Sequence, residues 1–190
     1  GCMGSTAELA FEYVTGSGGL VQEFQYGYTS YNGSQSACKI NNQVSASAAV
    51  ATINGYVHLP NNNYTVVMNA LATVGPVAIN VDATTWAAYN NGIYEGCNPT
   101  ELDINHVVVL VGYGEENGKK FYTVRNSWSP NWGENGYIRL ARYDTDDTNC
   151  AIDNYPQDGV ACDGEDQPIK VCGQCGAIYD TAYPLNAKAL

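Results

Sequence analysis

Apolar positions change their period near Gly75-Pro76. Ahead of that point Leu9, Ala10, Phe11 and Val14 share one face of a 3.6-residue repeat. Ser5-Thr6-Ala7-Glu8 has capping-box spacing just before them, and Gly16 follows as a stop, so the pattern predicts a helix there. Gly16 to Ile40 is rich in Gly, Tyr and Ser and reads as loops, while residues 43–59 mix small and β-branched residues and predict a strand. Asn63 can cap a second helix through Val66, Val67, Ala70 and Leu71, ended by Gly75-Pro76. Beyond it, Val77–Val81, His106–Tyr113, Lys120–Asn126 and Gly136–Arg142 read as strands, with Glu115-Glu116-Asn117-Gly118 as a hairpin turn. Helix and loop first, mainly antiparallel β later, is an α+β order. Residues 144–174 carry Pro156, Gly159, Gly164 and Pro168 and predict a polar surface excursion. Its acids Asp144, Asp146 and Asp147 could hold a cation, but the plainer expectation is a solvated acidic loop.

Composition narrows the function classes. At 190 residues the chain fits one domain or two lobes, with a sizeable core and no need of a structural metal. Charged residues make up 14%, against about 25% in typical globular domains, and 15 Tyr with many Asn, Ser, Thr and Gly take their place. A net charge of -11 and no basic cluster beyond Lys119-Lys120 argue against nucleic acid and against anionic membrane surfaces. An acidic chain sheds charge in an acidic compartment, which suits a lysosomal or vacuolar setting. There is no initiator Met, no signal-like apolar region and no apolar run near eighteen residues, the longest aliphatic run being Val107–Val111. A soluble chain starting after a processing break is expected. Two sequons place candidate glycans on Asn32 and Asn63 if the protein is secretory.

Only His58 and His106 offer imidazole chemistry. His58 has no sequence neighbour to orient it and reads as structural or surface. His106 heads an apolar strand, and a lone His there is more often structural than catalytic. The run Arg125-Asn126-Ser127-Trp128-Ser129-Pro130-Asn131-Trp132-Gly133-Glu134-Asn135-Gly136-Tyr137 changes that balance. A strand runs into a polar Asn, and two Trp follow within six residues. Asn126 could be a turn former between core tryptophans, or it could orient an imidazole under a Trp that keeps water off the bond.

That run resembles the N-S-W-G-x-x-W-G-x-x-G-Y block of the papain and cathepsin cysteine peptidases. Gly1-Cys2-Met3-Gly4-Ser5, Gly75-Pro76-Val77, Asn90-Asn91-Gly92-Ile93-Tyr94, Asn105-His106 through Gly114, and Cys175-Gly176 through Tyr183-Pro184 resemble further family blocks in the same order. The likeness spans the chain except the insertion at about 144–174. It implies a papain-like two-lobed fold: residues 1–56 as the remainder of a helical lobe, residues 57–190 as an antiparallel, barrel-like β lobe. It also implies a cysteine-type endopeptidase working through a thioester acyl-enzyme. His106 would be general base and acid, Asn126 its orienting group, Trp128 the shield of their bond, and Trp132 a wall on the leaving-group side. An amide acceptor suits this chemistry, because it fixes the ring without taking its proton and adds no second negative charge.

The family's nucleophile block lies upstream of His106 and has no counterpart here, so the resemblance implies a cysteine on a segment before Gly1. Cys172-Gly173-Gln174-Cys175 follows the histidine and aligns with the family's closing disulfide region; as a redox or zinc motif a single C-x-x-C is weak. Seven Cys is an odd number. By resemblance Cys97 pairs with Cys175, while Cys2 and Cys38 pair with that upstream segment or a second chain. Cys150, Cys162 and Cys172 leave one pair and one thiol, with Cys150–Cys162 preferred. The pocket for the second residue before the scissile bond would be lined by Thr6, Ala7, Asn80, Ile104 and Asp180, with a backbone clamp at Gly4-Ser5 and the Asn105 carbonyl nearby. Ser5 replaces a usual Gly there and narrows the approach of substrate backbone. An ionised Asp180 would admit Arg or Lys. Ser129 also stands where the family has Gly.

Two function classes follow. One is an active endopeptidase of lysosomal, vacuolar or secreted location, with a peptide or protein substrate, no cofactor or metal, and a propeptide or protein inhibitor as further partner. The other is a catalytically inactive papain-fold protein with a binding or structural role.

Overall fold

The structure is a computed structural model that describes residues 4–40, 44–161 and 164–190. It divides into two units: Gly1–Val57 with Pro184–Leu190, and His58–Tyr183.

The first unit holds α1 (Ala7–Ser17), followed by loops. Ala7 and Val14 are its buried positions. Its N-cap is Thr6, whose side chain makes no capping bond, so the expected capping box does not form; Ser5 Oγ turns to the Thr6 carbonyl instead. Phe11 packs near Tyr56 with ring centroids 6.0 Å apart, and the Tyr56 hydroxyl donates to Glu12. The β content of residues 43–59 is β1 (Ala51–Thr52) and β2 (Tyr56–His58), the latter lying where the chain leaves this unit. The chain's last residues belong here and not to the β unit, because Lys188–Ala189 pairs antiparallel with β1.

The second unit opens with α2 (Tyr64–Thr73), capped by Asn63, whose side-chain oxygen accepts the Val66 amide at 3.0 Å. The following strands are β3 (Val77–Val81), β4 (Ile93–Tyr94), β5 (Glu101–Leu102), β6 (His106–Glu116), β7 (Lys119–Arg125), β8 (Tyr137–Ala141), β9 (Cys150–Asp153), β10 (Ile169–Cys172) and β11 (Thr181–Pro184); Lys188–Ala189 of the first unit is β12. The main sheet runs β11-β3-β6-β7-β8-β4, antiparallel except for the parallel β8–β4 edge, and does not close on itself among the described residues. Asn117 and Gly118 both have positive φ (52° and 78°), the twist a two-residue hairpin needs to join β6 to β7. Val77, Ile79, Val81, Val108, Leu110, Tyr122, Val124, Ile138 and Leu140 form the core on one sheet face.

The 144–174 region is more deeply built in than a surface excursion. β9 and β10 pair antiparallel, β9 joins β5 in parallel, and Ala151, Val171 and Cys172 are buried. Asp146 and Asp153 are fully buried rather than solvated. Asp153 accepts the amides of Ile104 and Tyr155 at 3.2 and 2.8 Å, tying the hairpin to the irregular segment that leads into His106. Cys150 is bonded to Cys172, directly opposite it across the hairpin, which corrects the expected Cys150–Cys162 pair. Cys2 and Cys162 lie outside the described residues.

Candidate active site

His106 begins β6, and the preceding residue secures that strand entry. The Asn105 side chain accepts the Ala83 amide at 3.1 Å and donates to Thr84 Oγ1 at 3.0 Å, while its backbone amide bonds the Val81 carbonyl. Asn126 follows the end of β7, and β6 pairs directly with β7, so residues 20 apart in sequence meet at one sheet end. His106 Nε2 and Asn126 Oδ1 are 2.8 Å apart. The Ser127 backbone amide also contacts Asn126 Oδ1 at 2.8 Å. An amide N–H can only donate, so that atom is the carbonyl oxygen, and the neutral imidazole carries its proton on Nε2. Nδ1 is then the lone-pair nitrogen, and among the described residues no hydrogen bond occupies it. Asn126 is buried, with its Nδ2 unpartnered among the described residues, an arrangement tolerated where the Oδ1 contacts fix the amide.

Trp128 lies with its ring centroid 5.0 Å from the His106 ring, tilted by 32°. Behind it is an aromatic cluster: Trp128 edge-on to Trp132 at 5.3 Å, Trp132 stacked on Trp86 at 6.2 Å, and Trp86 edge-on to His106 at 6.4 Å. Trp132 Nε1 donates to the Trp86 carbonyl. The loop between Asn126 and Tyr137 is braced by Glu134, which takes a bidentate fork from Arg139 at 2.8 Å on each oxygen and the Gly92 amide at 2.8 Å. These contacts hold the Glu134 carboxyl below its ordinary pKa, the Arg139 hydrogen bond first among the causes. Gly133 is required: a Cβ there would lie 2.6 Å from the Tyr137 carbonyl oxygen.

The other expected site residues fall as follows. Gly4, Ser5, Thr6 and Ala7 sit at the start of α1 in the first unit. Asn80, Ile104, Asn105, Trp132 and Asp180 belong to the second. Ile104 is fully buried. Asn80 and Asp180 are brought together by a hydrogen bond from Asn80 Nδ2 to Asp180 Oδ2. His58, expected to lack an orienting group, has one in Asp180 Oδ1 at 2.9 Å. Cys97 and Cys175 are joined by a disulfide, and Cys38 is exposed. Asn32 is exposed in a turn, whereas Asn63 is half-buried as the α2 cap. Trp86 and Glu134 escaped the sequence reading as supporting residues; a second aromatic anchor about twenty positions before the histidine was the available signal for Trp86.

A sequence model of the papain family cysteine proteases matches residues 1–160. This chain belongs to that family. A KDEL-tailed cysteine endopeptidase, CEP2, of Arabidopsis thaliana is 38% identical over 188 residues, covering 98% of this chain and 43% of its own length. Mouse (Mus musculus) cathepsin K is 35% identical over 156 residues, 81% of this chain and 45% of its own. The chain thus spans less than half the length of these relatives. Among solved structures, the bromelain protease of Ananas comosus, in complex with the E64 inhibitor, superposes with a TM-score of 0.74 at 31% identity, covering 97% of this chain and 71% of that one. The fold is accordingly papain-like and α+β.

Proposed function

We propose that the full protein is a cysteine-type endopeptidase in which His106 is the proton carrier and Asn126 its positioning partner. The observation that carries this reading is the 2.8 Å His106 Nε2–Asn126 Oδ1 bond beneath Trp128, which leaves Nδ1 to face a nucleophile. The nucleophile is a cysteine thiolate on a segment upstream of Gly1, paired with the imidazolium. Its sulfur attacks the scissile carbonyl carbon, and as the tetrahedral species collapses the C–N bond breaks while Nδ1–H protonates the leaving amine. A thioester remains. Nδ1 then takes a proton from water, hydroxide attacks the thioester carbonyl, and the C–S bond breaks to restore the thiolate. A neutral amide acceptor lets the ring cycle between charged and neutral forms while keeping its orientation.

In this reading the Asn105 carbonyl holds substrate backbone, Asn80 and Ile104 contribute to the pocket, and Trp132 bounds the leaving side; Gly4-Ser5, Thr6 and Ala7 keep the clamp and pocket roles that the family resemblance implies. Asp180 is the acid that favours Arg or Lys two residues before the scissile bond. A propeptide or protein inhibitor would compete for the same groups, and Cys2 and Cys38 would bond the upstream segment or a second chain. The location is lysosomal, vacuolar or secreted; two disulfides, Cys97–Cys175 and Cys150–Cys172, support an oxidising folding route. No helix among the described residues is long and apolar enough to cross a membrane.

The test is labelling of the full-length protein with an epoxide or fluoromethylketone thiol probe. One modified cysteine by mass spectrometry, with labelling lost in His106→Ala, is expected. A folded full-length protein that takes up no probe would favour the inactive binding or structural role.

A further inference from the structure

A second imidazole in the β unit is bound to an acid. His58 Nε2 donates to Asp180 Oδ1 at 2.9 Å, and Asn80 Nδ2 donates to Asp180 Oδ2. Backbone bonds fix all three positions: the Asn80 amide to the Asp180 carbonyl at 3.0 Å, and the Leu59 amide, next to His58, to the Thr181 carbonyl at 2.9 Å. Asp180 is 7% exposed and Asn80 3%, whereas the His58 side chain keeps 40% of its surface. The imidazole therefore stands on the solvent side of the acid.

The register places this group near the candidate active site. Asn80 is paired across β3–β6 with Val107, the residue after His106, and Asp180 precedes the strand on the other side of β3. Two strand spacings separate Asp180 from Val107, about 10 Å. That is a substrate side chain's reach from the reacting imidazole.

We propose that His58 is a specificity-determining residue: by holding one oxygen of Asp180 it limits how strongly the acid can engage a basic substrate side chain. This rests on the reading of Asp180 given under Proposed function. An Arg fork binds a carboxylate through both oxygens at once. Here one oxygen already accepts an imidazole N–H and the other an amide N–H, so an Arg fork must share both oxygens with donors already in place. A basic side chain meets His58 as a competitor for Oδ1. Apolar side chains face no such competition. His58 sets the balance between Arg and Leu at this position without touching the reacting atoms.

The experiment compares kcat/KM of the full-length enzyme on two peptides differing only in Arg or Leu two residues before the scissile bond. His58→Ala should raise the Arg-to-Leu ratio about tenfold, the order expected for one hydrogen bond to a charged group. His58→Gln, which keeps an N–H donor, should stay within about threefold of the parent. His58→Leu keeps packing without a donor and carries the same test should the Ala variant fail to fold. Adding Asp180→Asn to His58→Ala should abolish the gain. An unchanged ratio in both His58→Ala and His58→Leu, with Asp180→Asn alone still changing it, would overturn the role of His58 and leave the reading of Asp180 standing. Ratios that ignore Asp180→Asn in every background would overturn the reading of Asp180 itself.

Discussion

The β unit presents two imidazoles in nearly matched poses with opposite acceptors. His106 and His58 each hand the Nε2 proton to an oxygen, at 2.8 and 2.9 Å. For His106 the oxygen belongs to the buried, neutral amide of Asn126, and Trp128 lies over the ring. For His58 it belongs to the carboxylate of Asp180, and the ring is 40% exposed. A neutral acceptor orients the ring and leaves its charge state free to change. The carboxylate of Asp180 gives one of its two oxygens to holding the ring. The first arrangement suits proton transfer, the second suits tuning the acid.

The contrast is broken most directly at the neutral acceptor. On the proposed function, His106→Ala should lower kcat/KM of the full-length protein by about 10⁴-fold, the upper range for loss of a general base. Asn126→Ala should cost about 100-fold, since the ring stays present but loses its fixed direction. Steady-state kinetics on the Leu peptide reads both. A loss below about twofold in Asn126→Ala would mean that the packing of Trp128 and Trp86 alone orients His106, and the choice of acceptor would carry no meaning.

A buried acid without an imidazole sharpens the other half. Asp146 is fully buried; its Oδ2 accepts the Tyr122 hydroxyl at 2.9 Å, and its Oδ1 has no partner among the described residues. Burial pushes its carboxyl up from 3.8 to about 6. The folded chain therefore binds more protons than the unfolded one between those values. Stability from this group is present at low pH and is lost as pH rises through about 6, by roughly 3 kcal/mol in all. Urea unfolding at pH 4.5 and 7 should show that slope in the parent and lose it in Asp146→Asn. Equal slopes in the two proteins would show that the Tyr122 bond compensates the burial.

What could be read from the sequence follows the distance between partners. The segment from Asn126 to Tyr137 is one contiguous piece, so its amide, its tryptophans and its glycine stops declare themselves together. The cap of α2 is legible because Asn63 and Val66 are three residues apart. His58 and Asp180 are separated by 122 positions, and no local pattern connects them. Asp146 lies in a polar stretch that reads as solvated; only the fold brings Tyr122 over it. The Cys150–Cys172 bond depends on β9–β10 register, which a loop-like composition conceals. At α1 the box expected to start at Ser5 does not form: the helix caps one residue later, at Thr6, and the Ser5 hydroxyl donates to the Thr6 carbonyl.

The smallest expected effect lies beside the first imidazole. Ser129 follows Trp128 and has φ of 83°, a left-handed conformation that glycine adopts at no steric cost. The strain is of order 1 kcal/mol or more. Partly offsetting it, the Ser129 hydroxyl accepts the Asn131 amide at 3.2 Å, and its carbonyl accepts the Trp132 amide at 3.2 Å. Only the hydroxyl contact is lost in Ser129→Gly, and at an exposed position water replaces it. Net stabilisation of about 0.5–1 kcal/mol should follow, a rise in Tm of about 2 °C for a chain of this size. Differential scanning calorimetry reads it, and a fall in Tm would show that the hydroxyl bond outweighs the strain. The rate of thiol-probe labelling then tells whether that strain serves the proposed role of the His106 ring. If Ser129 tilts Trp128 onto His106, relaxing the turn slows labelling while leaving the Arg-to-Leu ratio governed by His58 where it was. An equal response at both imidazoles would mean that the two sites are not separable and that the contrast between their acceptors is secondary to a shared change in the sheet.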